Sequence, residues 1–304
     1  MEMEICEVKP SGYCKGVGYA LAMVRKAVRD YPDQPVYIVG MLVHNRYIVE
    51  ALKTRNVITL DDSQKSKMEL VESIDQGVVV FTAHGIADDI KQRAIDKGLT
   101  VVDATCEFVR KTHEIIRDYL NRGYSIFYIG KKRHPESEAA LSIDDRITLI
   151  TDSSDIDNIK ENNDKIVVTT QTTMSINDTA DLIEKIKKRF PQAEIAEEIC
   201  DATRRRQNAV RNLKDTDVLI VVGDPKSNNT LQLARMGSTA GIKKVLRIET
   251  ARDLVNVHFD ENDRIAVASG ASTPKVLLDN VISYLQSRDE SYLQTDLETI
   301  VSFL

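Results

Sequence analysis

Three of the four cysteines recur at nearly equal spacing, and this repeat constrains the fold more than any other feature of the sequence. Cys14, Cys106 and Cys200 are 92 and 94 residues apart. Each is followed by apolar residues at helical spacing and then by a β-branched run that ends in glycine 23 to 26 residues after the cysteine. Self-similarity at a fixed period indicates repeated structural units. The chain therefore reads as three copies of one unit.

Each unit continues with the same alternation of strands and helices. After the glycine come a polar turn, a helix-like piece, a short strand, a third apolar strand, a second polar turn and a closing helix. The short strands are predicted at 57–60, 147–150 and 244–248. This alternation predicts right-handed crossovers and a small parallel sheet in each unit. We also expect the strand before each cysteine to complete that cysteine's own unit.

The repeat divides the 304 residues into three α/β domains and a tail. The predicted boundaries are 1–98, 99–191 and 192–287, with a C-terminal tail at 288–304 to which the pattern assigns no role. In open parallel sheets, ligand-binding groups collect at the carboxyl ends of the strands. If the units pack around a pseudo-threefold axis, these ends meet at one centre.

The composition excludes several classes of function. The chain has 41 Lys and Arg against 47 Asp and Glu, and this net charge of −6 is unsuited to broad binding of nucleic-acid phosphates. No apolar run approaches the ~18 residues of a membrane span, and the first residues lack the apolar segment of a signal peptide. We therefore expect a cytoplasmic protein with no nucleic-acid or membrane partner.

The three repeated cysteines are candidate metal ligands. The sequence contains no C-x-x-C motif, and four cysteines in this length are too few for a disulfide framework. A thiol between a strand and a helix N-terminus has a lowered pKa. Three converging thiolates suit a cubane iron–sulfur cluster with one iron left without a protein ligand, and they also suit zinc with an open fourth position. Cys6 lies inside the first strand and is predicted to be a core residue.

The predicted turns at the strand ends carry side chains that can hold a compact anion. These candidate binding residues are His44, His84, His134, Thr172, Ser227, Asn228, Asn229 and Ser272. Imidazole, hydroxyl and amide donors can bind phosphate without Arg or Lys, although Ser, Thr and Asn are also common turn residues. Glu136 is a candidate proton donor, whereas His113 lies in a predicted helix and fits a structural role. The basic clusters 131–133 and 204–206 are either solvated surface or a docking patch for an acidic electron carrier.

The ordered motifs GYCKGV, LVHN, TAHG, VDATC, RHPE, TQTT, EIC-ATRRRQ and GAST resemble the 4-hydroxy-3-methylbut-2-enyl diphosphate reductase family over residues 5–285. The resemblance implies three α/β domains in a trefoil around a central [4Fe-4S] cluster held by Cys14, Cys106 and Cys200. It implies that the polar-turn residues surround the substrate and that Glu136 supplies protons.

The same resemblance implies a reaction. At the open iron of the cluster, the substrate's hydroxyl is removed reductively to give isopentenyl and dimethylallyl diphosphate, the last step of the non-mevalonate pathway of isoprene biosynthesis. A reduced ferredoxin or a flavodoxin-type protein is the expected electron donor.

Two segments depart from the family pattern. GDPKSNNT replaces the commoner GxKNSSNT, which puts Asp224 and Pro225 near the phosphate turn and Asn228 in place of a serine. RHPESEA replaces GHPEVxG, with the loss of two glycines around Glu136. Two alternatives therefore stay open at this point: a non-catalytic or altered-substrate diphosphate-binding paralogue, and a zinc-dependent hydrolase that uses the same thiols and histidines.

Overall fold

The computed structural model describes residues 4–161, 163–196 and 199–302. Its strands are β1 Glu4–Glu7, β2 Val36–Val39, β3 Val57–Leu60, β4 Val78–Phe81, β5 Thr100–Asp103, β6 Ser125–Ile129, β7 Ile147–Ile150, β8 Ile166–Thr170, β9 Glu194–Ile195, β10 Val218–Val222, β11 Lys244–Ile248 and β12 Arg264–Ser269. The three predicted short strands are confirmed at both ends, as β3, β7 and β11.

Helices alternate with these strands along the chain. They are α1 Lys15–Asp30, α2 Arg46–Lys53, α3 Lys67–Glu72, α4 Asp88–Asp96, α5 Glu107–Asn121, α6 Pro135–Leu141, α7 Ser153–Asn158, α8 Ile176–Arg189, α9 Asp201–Arg211, α10 Asn228–Thr239, α11 Lys275–Ser287 and α12 Leu297–Ile300. Short 3₁₀ helices cover Ala251–Leu254 and Glu290–Leu293. None of the described helices is both long enough and apolar enough to cross a membrane.

The strands form three four-stranded parallel sheets of identical design. Their strand orders are β3-β2-β4-β5, β7-β6-β8-β9 and β11-β10-β12-β1. The predicted fold class, α/β with three repeated parallel sheets, is confirmed. The trefoil arrangement around a central cluster stays a prediction.

The strand before each cysteine lies in a different sheet from the one expected. β5 precedes Cys106 and pairs with β4, β9 precedes Cys200 and pairs with β8, and β1 precedes Cys14 and pairs with β12. The expectation that this strand completes the cysteine's own unit is therefore wrong. For β5 and β9 the physical reason is the crossover through the preceding helix, which returns the chain beside the strand it has just left, whereas β1 adds to the edge of the sheet formed by the last strands of the chain.

The predicted domain boundaries stay predictions, since membership of a sheet does not define where a domain ends. Part of the segment predicted as a strand before Cys200, residues 197–198, lies outside the described residues, as do 303–304 of the tail. By its internal contacts the chain divides into two compact units. The first unit comprises 1–18, 43–56 and 201–304 and contains the sheet of β10; the second comprises 19–42 and 57–200 and contains the sheets of β2 and β6.

Four of the six central strands are buried along their whole length, as their continuous apolar sequences predict. Every residue of β4, β6, β8 and β10 is buried. Edge strand β1 differs, because it is paired on one side and its residues alternate between exposed and half-buried. Cys6 on β1 is exposed, so its prediction as a core residue is wrong.

The C-terminal tail packs within the first compact unit. Helix α12 lies against α2, with Ile300 and Val301 buried, and Glu298 forms an ion pair of 2.7 Å with Arg55. The C-terminal tail, to which the sequence pattern assigns no role, therefore covers α2, the helix that follows His44.

Candidate active site

The three repeated cysteines occupy equivalent positions. Each is the residue before the first turn of a helix, is partly exposed, and donates its backbone N–H to the carbonyl of a polar turn on the neighbouring strand. These hydrogen bonds are Cys14 to Ala271 at 3.0 Å, Cys106 to Ala83 at 3.1 Å and Cys200 to Thr172 at 3.0 Å. The repeated bond follows from the strand pairing, because the strand before each cysteine lies beside the strand that ends in this turn.

Four predicted site residues meet around Ala271 in the first compact unit. The Ala271 carbonyl accepts from Cys14, and its N–H donates to Oδ1 of Asn229 at 3.0 Å. The next residue, Ser272, donates its hydroxyl to the carbonyl of His44 at 2.8 Å. The backbone N–H of Val17 points at Sγ of Cys14 at 3.4 Å, as a capping donor does.

Ser227 and Asn228 begin helix α10 in the same unit. Ser227 is the N-cap, and its hydroxyl accepts from Thr230 N at 3.3 Å. Asn228 is 2% exposed, and its Oδ1 accepts from Gln232 Nε2 at 3.4 Å. A buried amide costs free energy unless it finds partners, and the hydrogen bond from Gln232 offsets part of this cost.

Asp224, the acid that departs from the family pattern, is buried and caps two segments. Its Oδ2 accepts from Arg46 N at the start of α2, at 2.9 Å, and its Oδ1 accepts from Lys226 N at 2.8 Å. It thus ties the turn before Ser227 to the turn after His44.

We expect Asp224→Ala to lower the free energy of unfolding by about 1–3 kcal/mol, because two backbone N–H groups lose a buried acceptor. Urea unfolding of the variant measures this loss. Exposed Asp33 serves for comparison: Asp33→Ala should change stability by no more than about 0.5 kcal/mol. Equal stabilities of the two variants would contradict the capping role.

Two predicted histidines face each other in the second compact unit. The rings of His84 and His134 are perpendicular, with centroids 5.5 Å apart. His134 is the N-cap of α6, and its Nδ1 accepts from Glu136 N at 3.2 Å. A neutral His134 therefore carries its proton on Nε2, because Nδ1 acts as the acceptor. The Thr82 hydroxyl lies 3.4 Å from Nδ1 of His84.

Glu136 is buried beside Thr172. Its Oε1 accepts from Thr172 N at 2.6 Å, and its Oε2 lies 3.0 Å from the Thr172 hydroxyl. Burial raises the pKa of Glu136 to about 7, and the hydrogen bonds from Thr172 oppose this rise. A hydroxyl can donate to a carboxylate or accept from a carboxylic acid, so Thr172 can hold Glu136 in both protonation states.

Each compact unit thus gathers six of the twelve predicted site residues. In the second, the hydrogen bonds and ring contact link Cys106, His84, His134, Glu136, Thr172 and Cys200 into one path along the strand ends.

Sequence reasoning missed Thr82 and Gln171, whose hydrogen bonds depend on the folded turns. It was also wrong to place all of 204–206 on a solvated or docking surface: Arg206 is 4% exposed and donates to the Gly12 carbonyl at 2.7 Å.

His113 is buried in α5, against the turn that follows His84. A Cβ added to Gly85, which has φ +85°, would lie 3.1 Å from its ring. Burial, together with a smaller effect of the nearby Arg117 charge, lowers the pKa of His113 to about 4. The folded state therefore holds this histidine neutral, as its predicted structural role requires.

A histidine with a lowered pKa destabilises the fold in acid. The free energy of unfolding is unaffected by the charge of His113 above its unfolded pKa, near 6.5. It decreases as the pH falls from there towards 4, because the unfolded chain binds a proton that the folded chain excludes. We expect His113→Gln to remove about 3 kcal/mol of this pH dependence of the free energy of unfolding. His258→Gln, at an exposed histidine, is the matched control. An unchanged acid slope in His113→Gln would contradict the assignment.

Three repeated sheets, with a cysteine before one helix and polar turns in each repeat, define an α/β enzyme with a thiol-bearing site. A family model described as LytB protein matches residues 5–286, a range that includes all twelve predicted site residues. The chain belongs to the LytB protein family.

The chain is similar to proteins that are named as diphosphate reductases. The 4-hydroxy-3-methylbut-2-enyl diphosphate reductase of Geobacillus sp. (strain WCH70) is 43% identical over 290 residues, which cover 94% of this chain and 91% of that protein. The protein of that name from Bacillus cereus (strain AH187) has the same identity and coverage. The solved structure of the E-1-hydroxy-2-methyl-but-2-enyl-4-diphosphate reductase from Plasmodium falciparum matches with a TM-score of 0.87 and 28% identity, over 96% of this chain and 91% of that one. The chain is accordingly an oxidoreductase.

Proposed function

We propose that this enzyme reductively dehydroxylates 4-hydroxy-3-methylbut-2-enyl diphosphate with a [4Fe-4S] cluster, to give isopentenyl and dimethylallyl diphosphate. The observation that carries the proposal is the equivalent placement of three cysteines at helix starts, each bonded to a polar turn. In the reaction the allylic C–O bond breaks, two electrons enter, one proton leaves with the oxygen as water, and a second proton is added to carbon.

Cys14, Cys106 and Cys200 have the chemistry that such a cluster requires. Thiolates are its usual ligands, and all three cysteines are partly exposed at the start of a helix. Cys6 lacks this setting, and partial burial together with Glu4 raises the pKa of its thiol. Three ligands leave one iron of the cluster without a protein thiolate. When bound, the cluster supplies electrons and a Lewis-acidic iron.

The eight polar-turn residues bind the diphosphate and the hydroxyl of the substrate. Neutral donors suit this task, because they hold an anion through several hydrogen bonds without fixing a counter-charge beside it. His134 would donate to the anion from Nε2–H, since its Nδ1 accepts from Glu136 N.

Ligand binding should therefore protect both compact units. We expect inorganic diphosphate to slow hydrogen exchange in peptides around His44 and Ser272 and also in peptides around His134 and Thr172. At 100 times its Kd it should stabilise the folded chain by about 2.7 kcal/mol. Protection confined to one unit would contradict a single site built from both groups of residues.

Glu136 supplies the proton to the leaving oxygen. Hydroxide leaves poorly, so breaking the C–O bond needs an acid that is protonated near neutral pH. The raised pKa of Glu136, about 7, meets that requirement.

The electron donor is a reduced carrier protein of ferredoxin or flavodoxin type. Lys131, Lys132 and Arg133 are exposed and directly precede His134 in the chain. An exposed basic cluster attracts an acidic carrier through complementary charge and makes association sensitive to salt.

Anaerobic purification, analysis of iron and acid-labile sulfide, and a turnover assay with a reduced carrier test the proposal. We expect a brown protein with four iron atoms per chain, as the proposed [4Fe-4S] cluster requires, that consumes the substrate and releases both products. A colourless protein that holds zinc, or a cluster-loaded protein that binds substrate without turnover, would contradict it.

A further inference from the structure

Gln171 joins the two turns on which the Glu136 site is built. It follows β8 directly and is fully buried. Its Oε1 accepts from Lys131 N at 2.9 Å and from the Ser137 hydroxyl at 3.2 Å, and its Nε2 donates to the Thr173 hydroxyl at 3.0 Å. The backbone N–H of Lys131 can only donate, which assigns the oxygen of the amide to the β6–α6 side.

These bonds flank the Glu136 contact on both sides. Lys131 and Ser137 belong to the turn and first helical residues that carry Glu136, while Gln171 itself precedes Thr172. The β6–α6 turn is itself closely packed, since a Cβ added to Gly130 would lie 2.7 Å from the Ser137 hydroxyl. A change in the spacing of the two turns would therefore move Glu136 relative to Thr172.

We propose that Gln171 is a positioning residue for Glu136: its carboxamide ties the β6–α6 turn to the turn after β8 and so keeps the Glu136 carboxyl on Thr172. The Thr172 hydroxyl can hydrogen bond to Glu136 whether the carboxyl is protonated or ionised. The contact between Glu136 and Thr172 therefore persists through proton transfer as long as the distance between the two turns is kept. The inference rests on the proposed role of Glu136 as proton donor, and it adds a residue that does not itself touch the substrate.

The test uses Gln171→Met in the cluster-loaded enzyme, because methionine has a similar length but makes none of the three hydrogen bonds. A misplacement of about 1 Å can cost on the order of 10²-fold in rate, so we expect kcat to fall by roughly 10–100-fold while KM and iron content stay near the parent values. Thr169→Val is the matched control: it alters a fully buried side chain on β8 whose hydroxyl has no hydrogen-bond partner in the described structure.

A double-mutant cycle identifies the residue through which Gln171 acts. In a Glu136→Gln background, Gln171→Met should lower kcat no further, since its effect passes through the acid that is already missing. An equal fold-loss in both backgrounds, or an unchanged kcat in Gln171→Met alone, overturns the proposal.

Hydrogen exchange gives a readout that is independent of turnover. Peptides that contain the amides of Lys131 and Thr172 should exchange faster in Gln171→Met, the first through a lost acceptor and the second through a displaced Glu136. Where Gln171→Met does not fold, Ser137→Ala replaces it, because it removes one donor to the same oxygen; unchanged exchange at Thr172 in that variant overturns the proposal. If Glu136→Gln kept the parent kcat, the proton-donor role would fail, and exchange at Thr172 would decide separately whether Gln171 holds the carboxyl.

Discussion

Replacing Cys14, Cys106 or Cys200 by serine should remove most of the iron and lower turnover by more than about 100-fold, since even the outer partners of metal ligands are worth 10–100-fold. Each thiol lies at the same kind of helix start, with its backbone bonded to a polar turn, so the three losses should be similar. Iron and sulfide per chain, together with kcat, measure the effect.

Cys6→Ser provides the matched control, because it makes the same chemical change at a thiol outside the repeat. Cys6 is exposed on edge strand β1, and its raised pKa keeps it protonated. We expect iron content and activity near those of the parent. Loss of iron from the Cys6 variant equal to the loss from the other three would show four cysteine ligands and no open iron.

Glu136→Gln should lower kcat by about 10²–10⁴-fold, the usual contribution of a general acid. Glutamine keeps the size of the side chain and can still hydrogen bond to Thr172, but it cannot deliver a proton. Cluster content and substrate binding should therefore be retained. Glu138→Gln, at an exposed carboxylate on the same helix, is the control and should leave kcat unchanged.

The raised pKa of Glu136 fixes the direction in which kcat should change with pH. The acid acts when protonated, so kcat should fall as the pH rises through about 7, and this fall should be absent from the residual activity of Glu136→Gln. Stability follows the same direction: a carboxyl with a raised pKa favours the fold below its unfolded pKa, near 4.5, and this contribution is lost as the pH rises through about 7. A cluster-loaded Glu136→Gln protein with the parent's kcat would assign the proton to another group.

Local patterns in the sequence were enough to predict the strands and the repeated unit. The continuous apolar runs that became β4, β6, β8 and β10 indicate strands buried on both faces, and this signal needs no knowledge of distant residues. The same holds for the cysteine that precedes a helix in each repeat. The ordered motifs predicted the family, and the match over residues 5–286 confirmed it.

The local structure, the threefold repeat and the residue types of the site can therefore be read from neighbouring residues in the chain. The folded chain was needed to show which sheet takes the strand before each cysteine, that Cys6 is exposed, and that Asp224 caps a helix 178 residues away. It also decided that Gln171 reaches back 40 residues to Lys131. The physical reason is that strand pairing, capping and burial join groups far apart in the chain, so their partners are chosen by the packed fold and leave no periodic signal in the sequence.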